Sequence, residues 1–128
     1  MRNYQPSKNN NYKLAHSLFM HMVYLVKDYP RMKSEINDVI NSVPNALEQS
    51  SNNHFSDPTG NKVVKIEKMS TECKAVELAL DDLPIEYRKS VFDKVCHNSP
   101  YPIDADRTTY GRWKCRFLWN IAKNLLYI

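Results

Sequence analysis

The sequence predicts an all-α fold. Only two of its 128 residues are glycine, and apolar residues rarely alternate with polar ones as they do on a half-buried strand. Apolar residues instead recur at steps of three and four through several long runs, which is the spacing of amphipathic helices. A chain of this length buries a core without metals or disulfides, so we expect one domain, or a small domain with a helical arm.

Cysteine usage and hydropathy predict a cytoplasmic protein. The three cysteines, at positions 73, 96 and 115, show no disulfide-framework spacing, so we expect reduced thiols. The polar N-terminus lacks the apolar core of a signal peptide. The longest apolar run, residues 18–26, is shorter than the roughly 20 residues that a membrane-spanning helix needs.

The first helical run, Tyr12 to Tyr29, is apolar around most of its circumference. Such a helix must be covered on more than one side. We expect the protein's own core on one side and a second copy on the other, hence a homodimer. Pro30 predicts a kink or a new helix start, and a second run continues from Met32 to about Ser42.

Residues 41–61 are rich in Ser, Asn and Pro, which predicts a loop or linker. The predicted organisation is a helical arm for dimerisation at 1–42, a linker at 43–57 and a helical domain at 58–128. Asp57 and Pro58 are typical of a helix start. The helix they begin extends to about residue 82, and its predicted apolar face is Val63, Ile66, Met69, Cys73, Val76, Leu80 and Leu83.

Two further helices are predicted. One begins near Pro84 and ends before the proline-rich stretch 98–104, and the last extends from about Asp106, its expected N-cap, to Leu126. Residues 106–128 carry five basic side chains and one acidic one, a net +4 that equals the net charge of the whole chain. Such a concentration of positive charge is typical of a surface that binds a polyanion.

The last helix separates its apolar and basic residues. At about 100° per residue, one stripe holds Tyr110, Trp113, Phe117, Ile121 and Leu125, and we expect it to face the core. The opposite side holds Thr108, Arg112, Cys115, Trp119 and Lys123, with Arg116 and Thr109 at its edges. With Arg107 in the leading turn, this pattern fits a helix that enters the DNA major groove. A basic face that serves solubility alone is the competing interpretation, and Trp119 is expected to pack on the N-terminal helix or a second subunit.

Three segments together resemble a known family: "SDPTGNK" at 56–62, "LDDLPIEYRKSVFDKV" at 80–95 and "DRTTYGRWKCRFLWNIAKNL" at 106–125. They resemble phage-encoded transcriptional regulators of the RinA/ArpU type, which are similar to the C-terminal helix-turn-helix region of sigma factors. The resemblance implies that "RTTYGRW" opens a recognition helix. "HNSPYPIDA" at 97–105 replaces the family's full intervening helix, so the expected fold is a helical arm followed by a degenerate sigma-like helix-turn-helix domain.

The function predicted from these features is a DNA-binding transcriptional regulator of phage or prophage type, acting as a homodimer in a bacterial cytoplasm. Contacts at or near base edges are expected from Arg107, Thr108, Thr109 and Arg112. Phosphate contacts are expected from Lys114, Arg116 and Lys123, with Lys89 and Lys94 as helpers.

Other functions are less well supported by the residues. His16 and His21 are about 140° apart on a helix, and Cys96 and His97 have no CxxC partner, so neither a metal site nor a cofactor is expected. We do not expect this protein to be an enzyme. The alternatives are a helical protein-interaction module that binds RNA polymerase or another phage or host protein, and a small terminase subunit. The salt dependence of binding distinguishes the protein-interaction module from a DNA-binding protein, because DNA binding weakens steeply as the salt concentration rises.

Overall fold

The computed structural model describes residues 5, 10–52 and 57–128, with side chains at 5, 10–41 and 63–128. This part of the chain forms four helices and no strand, so the all-α prediction is confirmed. None of these helices is long and apolar enough to cross a membrane. The helices are α1 (His16–Asn52), α2 (Asp57–Asp81), α3 (Ile85–His97) and α4 (Arg107–Asn124).

Helix α1 does not restart at Pro30, and it extends through most of the segment predicted to be a loop. Helix covers residues 41–52 and 57–61, so the loop prediction is wrong there; residues 53–56 of the predicted linker lie outside the described residues. Pro30 is exposed, while Val26 and Met32 on either side of it are buried. Packing on both sides of the proline offsets the hydrogen bond that proline cannot donate.

Helix α2 has nearly the predicted bounds, 57–81 instead of 58–82. Met69, Cys73, Val76 and Leu83 of its predicted apolar face are buried and Leu80 is partly buried, whereas Val63 is 52% exposed. The difference arises because the core covers only the C-terminal part of α2. The side chain of Asp57, the predicted N-cap, is outside the described side chains.

Helix α1 packs against all three later helices. Phe19, Met22, Val23 and Val26 are each at most 1% exposed and belong to the same core as α2, α3 and α4. A single chain therefore already covers most of the apolar circumference of α1. The sequence suggested that a second copy covers part of α1, but the later helices of the same chain provide this cover.

A polar cluster joins α1 to α2 beside this core. The Tyr29 hydroxyl donates a hydrogen bond to Glu77 Oε2 at 2.6 Å, and Lys33 Nζ lies 2.9 Å from the same oxygen. These two donors lower the pKa of Glu77, the tyrosine hydrogen bond being the larger cause. Burial and the neighbouring carboxylate raise the pKa of Tyr29. The cluster links α1 to α2 at this point.

We expect Glu77→Gln to lower the free energy of unfolding by about 1 kcal/mol at neutral pH, because a half-exposed charged acceptor is lost. The folded pKa of Glu77 lies below its unfolded value of roughly 4.3. The stabilisation is therefore present above that pH and is lost as the pH falls through the folded pKa. Urea unfolding of both proteins across this range measures the difference. Curves that stay equally separated in acid would contradict the assignment.

Candidate nucleic-acid interface

Helix α4 is anchored by a face that is fully buried. Phe117, Leu118, Ile121 and Ala122 are each 0% exposed, which confirms Phe117 and Ile121 as core residues. Tyr110, Trp113 and Leu125 from the predicted stripe are half-buried. The core face is rotated from the predicted one because α4 packs against α1 and α2 as well as α3.

This rotation buries two residues predicted to lie away from the core face. Cys115 is 3% exposed and Lys114 is 8% exposed. Lys114 Nζ lies 5.8 Å from the centre of the Phe19 ring, and burial lowers the pKa of this lysine. Lys114 was predicted to contact phosphate, but the structure places it apart from the exposed basic side chains of α4.

The first turn of α4 is capped as predicted. Asp106 accepts hydrogen bonds from the Thr108 backbone N–H at 3.0 Å and from the Thr109 hydroxyl at 2.9 Å. These bonds, the one from Thr109 first, lower the pKa of Asp106. The hydroxyl of Thr109 is therefore occupied by the cap, whereas the Thr108 side chain remains exposed.

A group of four aromatic rings holds the beginning of α4 against α3 and the connection between them. The Tyr110 ring centre lies 5.0 Å from that of Tyr87 and 4.8 Å from that of Tyr101, and Trp113 stacks on Tyr87 at 5.7 Å. Burial raises the pKa of Tyr101 to about 12. The connection, residues 98–106, contains no helix, as its two prolines predicted. The contacts among these four rings hold the beginning of α4 against α3 and against the connection.

Arg107, Thr108 and Arg112 form the exposed part of this end of α4. Neither arginine makes an ion pair with another described residue. Arg112 and Thr109 border a cavity of about 240 Å³ whose other walls are Tyr12, Trp113 and Arg116. Two of the four predicted base-edge residues, Thr109 and Arg112, thus border one cavity.

Arg116 reaches this cavity but is partly neutralised within the fold. Its Nε lies 2.9 Å from Asp82 Oδ2, an oxygen that also accepts a hydrogen bond from Asn120 at 2.7 Å. Its guanidinium lies 5.6 Å from the Tyr12 ring centre and 5.7 Å from that of Trp113. The ion pair to Asp82 ties α4 to the end of α2.

The remaining predicted cations lie elsewhere. Lys123 is 16 residues beyond Arg107, about 24 Å along the helix axis, and its Nζ is 5.2 Å from the Trp119 ring centre. Trp119 makes an edge contact with Tyr12 at 5.3 Å, so it packs on the segment before α1. On α3, Lys89 is exposed and Lys94 Nζ lies 5.4 Å from the Tyr101 ring centre. Lys123 therefore lies at the other end of α4 from Arg107 and Arg112.

Sequence reasoning did not identify Tyr12 and Asp82 as part of this region. Tyr12 precedes Arg116 by 104 positions and Asp82 precedes it by 34. No local pattern links residues so far apart, because only the packing of the helices brings them together. Among the residues with described side chains, no group of three or more His, Cys, Asp or Glu could hold a metal ion.

No protein-family model, curated protein or solved structure matches this chain. The resemblance to RinA/ArpU-type regulators stays a prediction that is based on the three quoted segments.

We expect Lys114→Met to raise the free energy of unfolding by roughly 1 kcal/mol, because the buried ammonium is disfavoured in the folded state. The lowered pKa means that the folded state binds this proton less well than the unfolded state, so the charge opposes folding at neutral pH. The gain should therefore shrink at alkaline pH as the lysine is neutralised in wild type. Thermal unfolding at neutral and alkaline pH tests this; destabilisation by the substitution would contradict it.

Proposed function

We propose that this protein is a DNA-binding transcriptional regulator of phage or prophage type. In this proposal the N-terminal half of α4 enters the major groove of the DNA. The observation that carries the proposal is the exposed group of Arg107, Thr108 and Arg112 at the leading end of a helix whose other side is fully buried. N-terminal residues of a recognition helix are the ones that reach base edges.

The anchoring of α4 supports this use. Direct readout needs side chains held at fixed positions, since guanidinium contacts to guanine depend on two hydrogen bonds made together. Arg112 projects from a helix held by the Phe117 and Ile121 core contacts and by the ring contact of Trp113 with Tyr87. Arg107 and Arg112 are proposed for base edges, with Thr108 and Thr109 beside them.

Phosphate contacts are assigned to Arg116 and Lys123. Arg116 uses Nε for Asp82, which leaves its terminal nitrogens for an anion at the cavity. Lys123, about 24 Å from Arg107 along α4, would meet a phosphate beyond the base-contacting turns. Exposed Lys89 is a third phosphate partner, from the preceding helix.

The test is fluorescence anisotropy with duplexes tiled across the DNA that flanks the gene, at two salt concentrations and with random-sequence competitor. We expect one duplex to bind tightly despite competitor. The logarithm of the binding constant should fall by roughly 0.9 per phosphate contact for each tenfold rise in salt. Equal, weak and salt-sensitive binding to every duplex would contradict sequence-specific readout.

Arg112→Ala should weaken binding to the preferred duplex by about 1–3 kcal/mol and reduce discrimination against changed base pairs, because a base-edge contact is lost. Lys68→Ala removes an exposed charge on α2 and serves as the matched control. Lys114→Met is a second control, because that ammonium is buried. Equal affinities of Arg112→Ala and the Lys68→Ala control would exclude the proposed role.

Asp106 places a carboxylate at the end of α4 that would face the DNA. Asp106→Asn keeps one N-cap acceptor and removes the charge, so we expect a few-fold tighter DNA binding with a small loss of thermal stability, because the second oxygen that accepts from the Thr109 hydroxyl is lost. Asp106→Ala removes the cap as well and should lower the melting temperature. Anisotropy and thermal unfolding of both variants measure the two effects separately. Unchanged affinity in Asp106→Asn would place this end of α4 away from phosphate.

A second candidate, the helical protein-interaction module, is favoured by an apolar groove at the opposite end of α4, between α4 and the start of α1. RNA polymerase or another phage or host protein would then be the partner, and binding through apolar surface would persist at high salt. A ring-sized oligomer in light scattering would instead favour a small terminase subunit.

A further inference from the structure

The chain segment that precedes α1 packs against α4. We call residues 10–14 the N-terminal segment. Asn10 Nδ2 lies 3.8 Å from Cys115 Sγ, and the Tyr12 ring centre lies 5.3 Å from that of Trp119 in an edge contact. The N-terminal segment therefore belongs to the surroundings of α4, although more than a hundred positions separate the two in the sequence.

Local hydrogen bonds fix the path of the N-terminal segment. Asn10 Oδ1 accepts a hydrogen bond from the Tyr12 backbone N–H at 2.9 Å. The Gln5 side chain accepts a hydrogen bond from the Leu14 N–H at 2.9 Å and donates one to the carbonyl of the same residue. Leu14 is 4% exposed and belongs to the core. The backbone on both sides of Tyr12 is therefore anchored, so its ring is held beside α4.

The Tyr12 ring helps to surround the guanidinium of Arg116. The centre of this guanidinium lies 5.6 Å from the Tyr12 ring centre and 5.7 Å from that of Trp113, distances at which a cation is attracted to a ring. Asp82 holds Nε at 2.9 Å. Three separate parts of the chain thus orient one guanidinium. A side chain that is already oriented loses less freedom when it binds a ligand, so its binding is stronger.

Arg116 borders the cavity of about 240 Å³ described above. None of the described residues that line it is acidic, and two of them, Arg112 and Arg116, are cationic. The two arginines are one helical turn apart, about 6 Å along the axis. The planar fork of a guanidinium matches two oxygens of a phosphate group, so the chemistry of the cavity favours phosphate.

We propose that Tyr12 is a positioning residue for DNA binding, and that it orients Arg116 to bind one backbone phosphate at this cavity. The inference rests on the proposed function and adds the N-terminal segment to the DNA interface. Arg112, one turn nearer the leading end of α4, stays available for a base edge. Every nucleotide of a duplex carries the phosphate, so the contact of Arg116 does not depend on base sequence.

A double-mutant cycle tests the link between Tyr12 and Arg116. Fluorescence anisotropy measures binding of the full chain to the preferred duplex and to a random-sequence duplex at several salt concentrations. Arg116→Ala should weaken both by a similar factor and reduce the salt slope by roughly 0.9, because one phosphate contact is lost. Tyr12→Leu keeps apolar bulk but removes the ring, and should weaken both by about threefold to tenfold. Tyr12→Phe keeps the ring and should bind like wild type.

The cycle separates the positioning of Arg116 from a general loss of stability. In an Arg116→Ala background, Tyr12→Leu should have no further effect on affinity, because no guanidinium remains to be oriented. Instability caused by the lost contact with Trp119 would instead weaken binding in both backgrounds. The matched control is Tyr24→Leu, since Tyr24 is 61% exposed on α1 and its ring centre lies 6.0 Å from Lys27 Nζ. Its affinity should equal that of wild type, and thermal unfolding verifies that every variant folds.

Wild-type affinity of Tyr12→Leu, or an equal loss from it in both backgrounds, would overturn the proposal. A loss in Tyr12→Phe or in Tyr24→Leu as large as that in Tyr12→Leu would also overturn it. A wild type that binds no duplex would overturn this proposal together with the proposed function. Equal binding to all duplexes with Tyr12 and Arg116 still coupled would contradict base readout and support the phosphate site, so the two proposals fail separately.

Discussion

Burial of one face of α4 against α1, α2 and α3 is the constraint on which the rest of this structure depends. Phe117, Leu118, Ile121 and Ala122 lose all contact with water, and burial of apolar area on this scale is the main favourable contribution to folding. Once these four residues are inside, the rotation of the helix is set. That rotation exposes Arg112 and buries Lys114.

The rotation also changes how positive charge is displayed. The last segment of the chain carries a net +4, but its cations are not equivalent. Lys114 is buried, and Arg116 is paired with Asp82. The remaining three divide between the ends of the helix, Arg107 and Arg112 at the start and Lys123 near the end. A charge count along the sequence therefore overstates the basic surface in the middle of α4.

Helix α4 thus presents two chemically different surfaces. Its leading end is polar and cationic, with a capped first turn and a cavity bordered by arginine and aromatic side chains. Its trailing end meets the beginning of α1 at an apolar groove. About 24 Å separates Arg107 from Lys123 along the axis, so the two surfaces lie at different ends of the helix.

Local sequence determined the features that depend on neighbouring residues. Helices α2, α3 and α4 begin and end within about two residues of their predicted bounds, because Pro84, the prolines of 98–104 and the Asp106 cap act within one turn. The position of Arg107, Thr108 and Arg112 on the exposed side of α4 also follows from helical spacing. These residues define most of the candidate interface.

Tertiary structure decided what depends on distant residues. Helix α1 continues past Pro30 because residues on both sides of it are buried by other helices. Cys115 and Lys114 are inside because α4 is covered from several directions, whereas an isolated helical pattern identifies only one apolar stripe. Tyr12 and Asp82 reach Arg116 across 104 and 34 positions. The sequence encodes local geometry within a turn, but the rotation and neighbours of a helix are set only when the whole core packs.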